Sequence, residues 1–319
     1  MEYPIKLRNK NNRALFGVIH QPDLQPARKI GIVFLCAGLK HRVGPHRLYV
    51  KMARWLCERG YYCFRVDPEG LGDSEGEIEN GRVVDLWRTI QNGRFVADAR
   101  AAVDAFHERT AVDKLILTGL CGGAITALLT AAADKRVDAL IFLGMPIYFD
   151  GTAKNDTPEV SQELAKVYLR AYLQKIFKVE FLKRLLLLRT DYRLLFQTLK
   201  SAASVRLKPK VFRPVEEFSW GEGADFNYLF LEAYVKMVEA GHEMLFLFGE
   251  NDILVGPFRT KFKDGFLEAN PRYKAGCDIH LVKNANHQLS LPEWQGDGFA
   301  IVLQWLENRY GKLYGSSSI

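Results

Sequence analysis

The sequence predicts an α/β protein built on a mostly parallel, doubly wound β-sheet, interrupted once by a helical insertion. Three observations carry this. Short, continuous apolar runs such as residues 30–36 and 244–248 are the pattern of strands buried on both faces. They alternate with helical stretches over most of the chain. The alternation then fails for some 80 residues after Gly144, where leucines interleave with Lys and Arg at helical spacing.

The elements follow in order. Residues 5–20 read as a hairpin turning at Asn11-Asn12, a polar pair suited to a tight turn. Residues 30–36 form a buried strand, and residues 48–59 have helical periodicity that stops at Gly60. Residues 61–66 are the next strand, followed by a helix over 96–110. Strands at 115–118, 139–143, 244–248 and 279–282 complete the series, with helices over 228–240 and 294–310. This divides the chain into a core over 1–146, a helical lid inserted after the sixth strand over 147–225, the rest of the core over 226–314, and a disordered tail over 315–319. Within the insertion, residues 164–176 and 179–199 are the expected helices. Residues 151–224 hold 14 Lys plus Arg against 8 Asp plus Glu, a net +6 of the whole chain's +7.

Bulk properties narrow the function classes. The chain has 319 residues, 48% hydrophobic and 25% charged, which is ordinary globular composition. No apolar run approaches bilayer length, and the N-terminus lacks an apolar signal core. A cytoplasmic protein without a membrane span is expected. The cysteines at 36, 57, 63, 121 and 277 form no CxxC pair, which points to reduced thiols. The seven histidines show no metal-ligand spacing, so neither a metal nor a cofactor is expected. The positive charge alone does not specify nucleic acid, and no nucleic-acid-binding motif accompanies it. Oligomeric state is left open.

The chemistry is concentrated in Leu115-Ile116-Leu117-Thr118-Gly119-Leu120-Cys121-Gly122-Gly123-Ala124. A strand meets Gly-x-Cys-x-Gly and then an alanine- and leucine-rich helix, which is the context of a nucleophile elbow with cysteine where serine usually sits. The glycines permit close strand–helix approach. The bland alternative is a small buried thiol. Two further segments argue against it. Leu245-Phe246-Leu247-Phe248-Gly249-Glu250-Asn251-Asp252 delivers a carboxylate just past a strand, and Asn284-Ala285-Asn286-His287 follows the last strand. Cys121, Asp252 and His287 thus stand in nucleophile–acid–histidine order.

On these residues the chain resembles the α/β-hydrolase superfamily throughout its core. Ala37-Gly38-Leu39-Lys40-His41-Arg42-Val43-Gly44-Pro45-His46-Arg47, together with Gly119-Leu120-Cys121, resembles bacterial exosortase-associated hydrolases and relatives encoded in biosynthetic clusters. The resemblance implies Cys121 as nucleophile, His287 as general base and acid, and Asp252 as the group that orients the imidazole. It implies one oxyanion donor from the Gly122 amide and a second from Leu39 or Gly38. Asp150 is the reserve acid. Asp67-Pro68-Glu69-Gly70-Leu71-Gly72-Asp73-Ser74 resembles the superfamily's Asp-x-x-Gly-x-Gly-x-Ser turn and lacks the Gly-x-Gly-x-x-Gly nucleotide spacing. His41, Arg42, His46 and Arg47 either bind an anionic or polar substrate group or brace the loop that carries them. The expected function is a thioesterase-like acyl hydrolase or acyltransferase using an acyl-Cys121 intermediate. Its substrate is a small acyl molecule linked as an ester or thioester, with a carrier protein or coenzyme A as the linked partner that would suit the basic lid. A simple carboxylesterase or lipase-type hydrolase and a catalytically silent binding module are the alternatives.

Overall fold

The computed structural model describes residues 1–23, 27–79, 81–148 and 227–311. Eight strands form one sheet: β1 (Glu2–Arg8), β2 (Ala14–His20), β3 (Ile30–Leu35), β4 (Tyr62–Val66), β5 (Lys114–Leu120), β6 (Ala139–Leu143), β7 (Glu243–Gly249) and β8 (Cys277–Val282). Their spatial order is β1-β2-β4-β3-β5-β6-β7-β8. The first hairpin is antiparallel, in register from Glu2 opposite His20 to Arg8 opposite Ala14, and β2 runs antiparallel to β4. All later pairings are parallel. This is the α/β-hydrolase fold.

Among the described residues, six longer α-helices flank the sheet: α1 (Leu48–Cys57), α2 (Val83–Gln91), α3 (Val96–Arg109), α4 (Gly122–Ala133), α5 (Tyr228–Glu239) and α6 (Pro292–Tyr310). Side-chain alternation along β3 explains why it reads as an unbroken apolar run. Ile30, Ile32 and Phe34 join the layer under α1 and α6, while Val33 and Leu35 face α3, α4 and α5. Both faces are covered, so no position on the strand can be polar. β7 behaves alike, with Leu245 and Leu247 on one side and Met244, Phe246 and Phe248 on the other.

Two elements differ from the sequence expectation. Helix α2 was not anticipated. Its amphipathic character is short, with Val83 and Val84 exposed at its start and Ile90 buried at its end. A single helical turn at Val255–Pro257 runs into a π-helical segment, Phe258–Leu267. Phe258, Phe262 and Phe266, four residues apart, are all buried along it. Phe262 meets Tyr234 edge-on with centroids 4.8 Å apart, and Phe258 lies 5.1 Å from Phe246. The helical insertion expected over 147–225 lies, from residue 149 onward, outside the described residues, as does the tail.

The sheet centre packs unusually closely against α4. A Cβ on Gly123 would fall 2.7 Å from the Cys36 carbonyl oxygen, and one on Gly119 would fall 2.8 Å from the Gly123 Cα. Backbone stands on both sides, so neither contact can be relieved by a side-chain rotation. Gly123→Ala should therefore destabilise the fold by about 1–3 kcal/mol, read as a lowered urea midpoint at constant slope.

Candidate active site

The close approach of β5 and α4 forces the chain through a sharp turn at one residue. Cys121 occupies φ 55°, ψ −115°, a conformation that costs a non-glycine residue about 1–3 kcal/mol and persists only where its surroundings impose it. Here they do. The Cys121 amide donates to the Leu143 carbonyl at 2.8 Å, and its own carbonyl accepts from Ala124 at 2.9 Å as the first bond of α4. The thiol thereby stands at a helix N-terminus, the end that favours negative charge. Tyr49, fully buried on α1, donates its hydroxyl to the Leu35 carbonyl at 2.9 Å and accepts the Leu120 amide at 2.6 Å. One phenol thus ties the end of β3 to the residue before the thiol.

The loop after β7 presents Asp252, whose side chain is fully buried. Its Oδ1 accepts the Leu254 amide at 2.9 Å, and its Oδ2 lies 2.8 Å from His287 Nδ1. The two loops are joined independently of this pair. Asn251 donates its amide to the Ala285 carbonyl and its side chain to the Asn284 carbonyl, while Glu250 accepts the Asn284 amide. Within the histidine loop, Asn286 Oδ1 accepts the amides of Gln288 and Ser290. The imidazole is therefore held from both sides in sequence.

Burial disfavours the charged imidazole, yet hydrogen bonds to Asp252 and to the Cys121 side chain outweigh it. The His287 pKa is pushed up to about 10. The Cys121 side chain and Asp252, far apart in sequence, thus both favour the charged form of the His287 ring. Burial pushes Cys57 and Cys277 up to about 11 and Cys36 and Cys63 well above the ordinary thiol range.

The structure also brings the expected oxyanion segments together. A Cβ on Gly122 would fall 2.9 Å from the Gly38 Cα, so the two backbones touch. Gly38, at φ 62°, is covered by the Trp87 ring of α2, and half-buried Leu39 packs in the same small cluster. Of the four basic loop residues, Arg42 pairs with Asp67 and Asp73. His46 Nε2 meets Gln288 Oε1 at 3.2 Å, and His41 Nδ1 accepts the Val43 amide. His46 and Arg47 are exposed and both left-handed. Asp150 lies outside the described residues. Among the described residues no cluster of three or more His, Cys, Asp or Glu could hold a metal ion, and no helix is long and apolar enough to cross a membrane.

Sequence reasoning missed Gly144. It follows β6 at φ 55°, and a Cβ there would lie 2.7 Å from His287 Cε1 and 3.0 Å from Asp252 Oδ2. Only a residue without a side chain leaves room for the pair. Trp87 and Tyr49 were missed too, since nothing local marks them.

Residues 27–290 match the family described as serine aminopeptidase, S33. The chain belongs to this family of α/β-hydrolases. It carries Cys121 at the elbow of a family named for serine. A curated relative, the polyketide transferase grgF of a Penicillium species, is 35% identical over 109 residues. That match spans 34% of this chain and 34% of that protein, about a third of the relative's length. The crystal structure of the α/β-hydrolase GrgF from Penicillium sp. sh18 superposes with a TM-score of 0.55 at 15% identity, covering 96% of this chain and 97% of that one. A structure of DcsB with its substrate analogue gives 0.56 at 14% identity, over 97% and 99% of the two chains. The Pyrococcus furiosus esterase Pf2001 gives 0.56 at 13%, over 97% and 91%. The structural likenesses establish the fold of this S33-family chain, and the family match places it among the hydrolases.

Two outcomes follow for the site. Gly144→Ala should displace the imidazole and lower turnover at least tenfold while the strand pairing survives, checked by kinetics alongside far-UV circular dichroism. Because the folded-state imidazole titrates near 10 instead of 6.5, charged His287 stabilises the fold in full below about pH 6.5. That contribution is lost as pH rises through about 10. The Tm deficit of Asp252→Asn should accordingly be largest near pH 6.5 and shrink toward pH 10.

Proposed function

We propose that this chain is a cysteine-dependent acyl-transfer enzyme, with Cys121 as nucleophile, His287 as general base and acid, and Asp252 orienting the ring. One observation carries the reading: a cysteine held in a strained turn at a helix N-terminus, with an imidazole that is bonded to a buried carboxylate and whose charged form the cysteine side chain favours. A buried structural thiol needs none of these partners.

The chemistry divides into two balanced steps. The Cys121 sulfur, as thiolate beside the imidazolium, attacks the acyl carbonyl of an ester or thioester. The electron pair of the carbonyl collects on oxygen, and the Gly122 amide with that of Gly38 or Leu39 would receive it. Collapse expels the alcohol or thiol, which takes the proton from His287 Nε2, and leaves acyl-Cys121. An incoming water, amine, alcohol or thiol then surrenders its proton to His287, attacks the thioester carbonyl and releases the thiolate. Asp252 bonds Nδ1 throughout, fixing the tautomer and stabilising each imidazolium state.

A thioester intermediate is attacked readily by acceptors besides water, which favours transfer over simple hydrolysis. The partial likeness to a protein named a polyketide transferase supports the same direction. A carrier-protein- or coenzyme A-linked acyl chain is the donor class that the basic stretch over 151–224 favours, since carrier proteins and coenzyme phosphates are acidic.

The reading is tested with a panel of acyl thioesters and oxyesters, with and without amine acceptors, followed by intact mass and peptide mapping. A mass increase mapped to Cys121, lost in Cys121→Ala together with roughly 10³-fold or more of kcat, is expected. Preference for oxyesters with indifference to amines would select a carboxylesterase. Absence of any Cys121 adduct, with Cys121→Ala fully active, would exclude covalent catalysis.

A further inference from the structure

We infer that the Arg42–Asp67 ion pair is a latch that positions the loop bearing Gly38 and Leu39, so that both residues set the rate of acylation without touching substrate. The inference rests on the acyl-Cys121 reading.

Asp67 opens the Asp-x-x-Gly-x-Gly-x-Ser turn, and its side chain is fully buried. Its carboxylate accepts the Arg42 guanidinium through Nη1, the Arg42 amide at 2.5 Å and the Asp73 amide at 3.2 Å. The second arm of the Arg42 guanidinium, Nη2, reaches Asp73. The Arg42 carbonyl in turn accepts Nη1 of Arg65, a buried side chain on β4 that also donates Nε to His20. Arg42 is therefore engaged through its backbone N–H, its backbone C=O and both terminal arms of the guanidinium. The motif around Asp67 serves the same end. Gly72, at φ 58°, leaves the space that the carboxylate fills, and a Cβ there would fall 2.8 Å from Oδ1. Ser74 donates to the Asp67 carbonyl and accepts the Phe16 amide, anchoring the turn to β2.

This arrangement decides between the two roles open to Arg42. A guanidinium that recognises a substrate anion must offer unpaired N–H groups toward the cavity. Here the charge is already matched by two carboxylates, one of them fully buried. A buried carboxylate deprived of its counter-charge is costly, so the pair is kept closed. Arg42 lies three residues after Leu39 and four after Gly38, on the same short loop. Clamping residue 42 fixes the far end of a segment whose near end is held by β3 through Tyr49. Oxyanion donors act only when they are in place before charge develops, so a loosened loop slows acylation selectively.

The discriminating probe is iodoacetamide. It alkylates a thiolate by displacement at a saturated carbon and develops no oxyanion, so it reads Cys121 and His287 but not the loop. Arg42→Gln, Arg42→Lys and Asp73→Asn are compared with wild type for three readouts. These are the acylation rate with an activated acyl ester, the alkylation rate at mapped Cys121, and amide hydrogen exchange over residues 37–44. Arg42→Gln should slow acylation by roughly 10–100-fold, below the loss for deleting a donor outright, with KM and alkylation within about twofold. Exchange over 37–44 should accelerate. Arg42→Lys should recover part of the acylation rate. Asp73 is exposed, so Asp73→Asn folds normally and should show the same pattern more weakly. A parallel loss of acylation and alkylation would overturn the latch, as would a raised KM at constant kcat or unchanged exchange over 37–44. Wild-type protein that is alkylated but never acylated at Cys121 would defeat the acyl-enzyme reading alone, and the exchange comparison would still decide the latch.

Discussion

The backbone at Cys121, bent to φ 55° and ψ −115°, is the constraint on which the rest of the site depends. A cysteine does not adopt this geometry of its own accord. It is imposed by the contact of β5 with α4, which requires glycine at 119 and 123, and by the Cys121 amide bonding to the end of β6. The energy of packing the sheet centre, where strands are covered on both faces, keeps a strained residue in place. The same bend puts the thiol at the start of a helix. Backbone strain and the helix-end position of the thiol therefore arise from one packing event.

The imidazole is governed by a second, electrostatic balance. Burial works against its charge, and two acidic partners more than compensate. Such a balance tolerates little displacement, which explains the redundancy around the ring: the acid and histidine loops are bonded to each other through Asn251 and Glu250, apart from the Asp252–His287 contact itself. Gly144 supplies the remaining requirement, which is empty space. Fixed neighbours and a missing side chain together hold the ring against Asp252.

Much of this was legible in the sequence because it is written in local pattern. Doubly buried strands such as β3 and β7 must be apolar at every position, and the elbow needs glycines at set offsets from its nucleophile. The order of Cys121, Asp252 and His287 is likewise a one-dimensional feature. What escaped is three-dimensional. Tyr49, Trp87 and Gly144 act across 71, 49 and 143 residues on Leu120, Gly38 and His287, and nothing beside them in the chain marks them. The π-helical segment went unread although Phe258, Phe262 and Phe266 recur every four residues, as on an ordinary helical face. Arg42 was visible as a basic residue in the right loop, but whether its charge was spare could be decided only once Asp67 and Asp73 were seen against it.

The central claim is that one thiol among five is activated by the imidazole beside it. The direct measurement is the rate of alkylation of each cysteine by iodoacetamide at neutral pH, resolved by peptide mapping, in wild type and in His287→Ala. Cys121 should react fastest in the wild type and slow markedly in the variant, while Cys36, Cys57, Cys63 and Cys277 stay slow in both. Reaction at Cys121 no faster than at the other half-buried thiols, or indifferent to loss of the imidazole, would contradict the account.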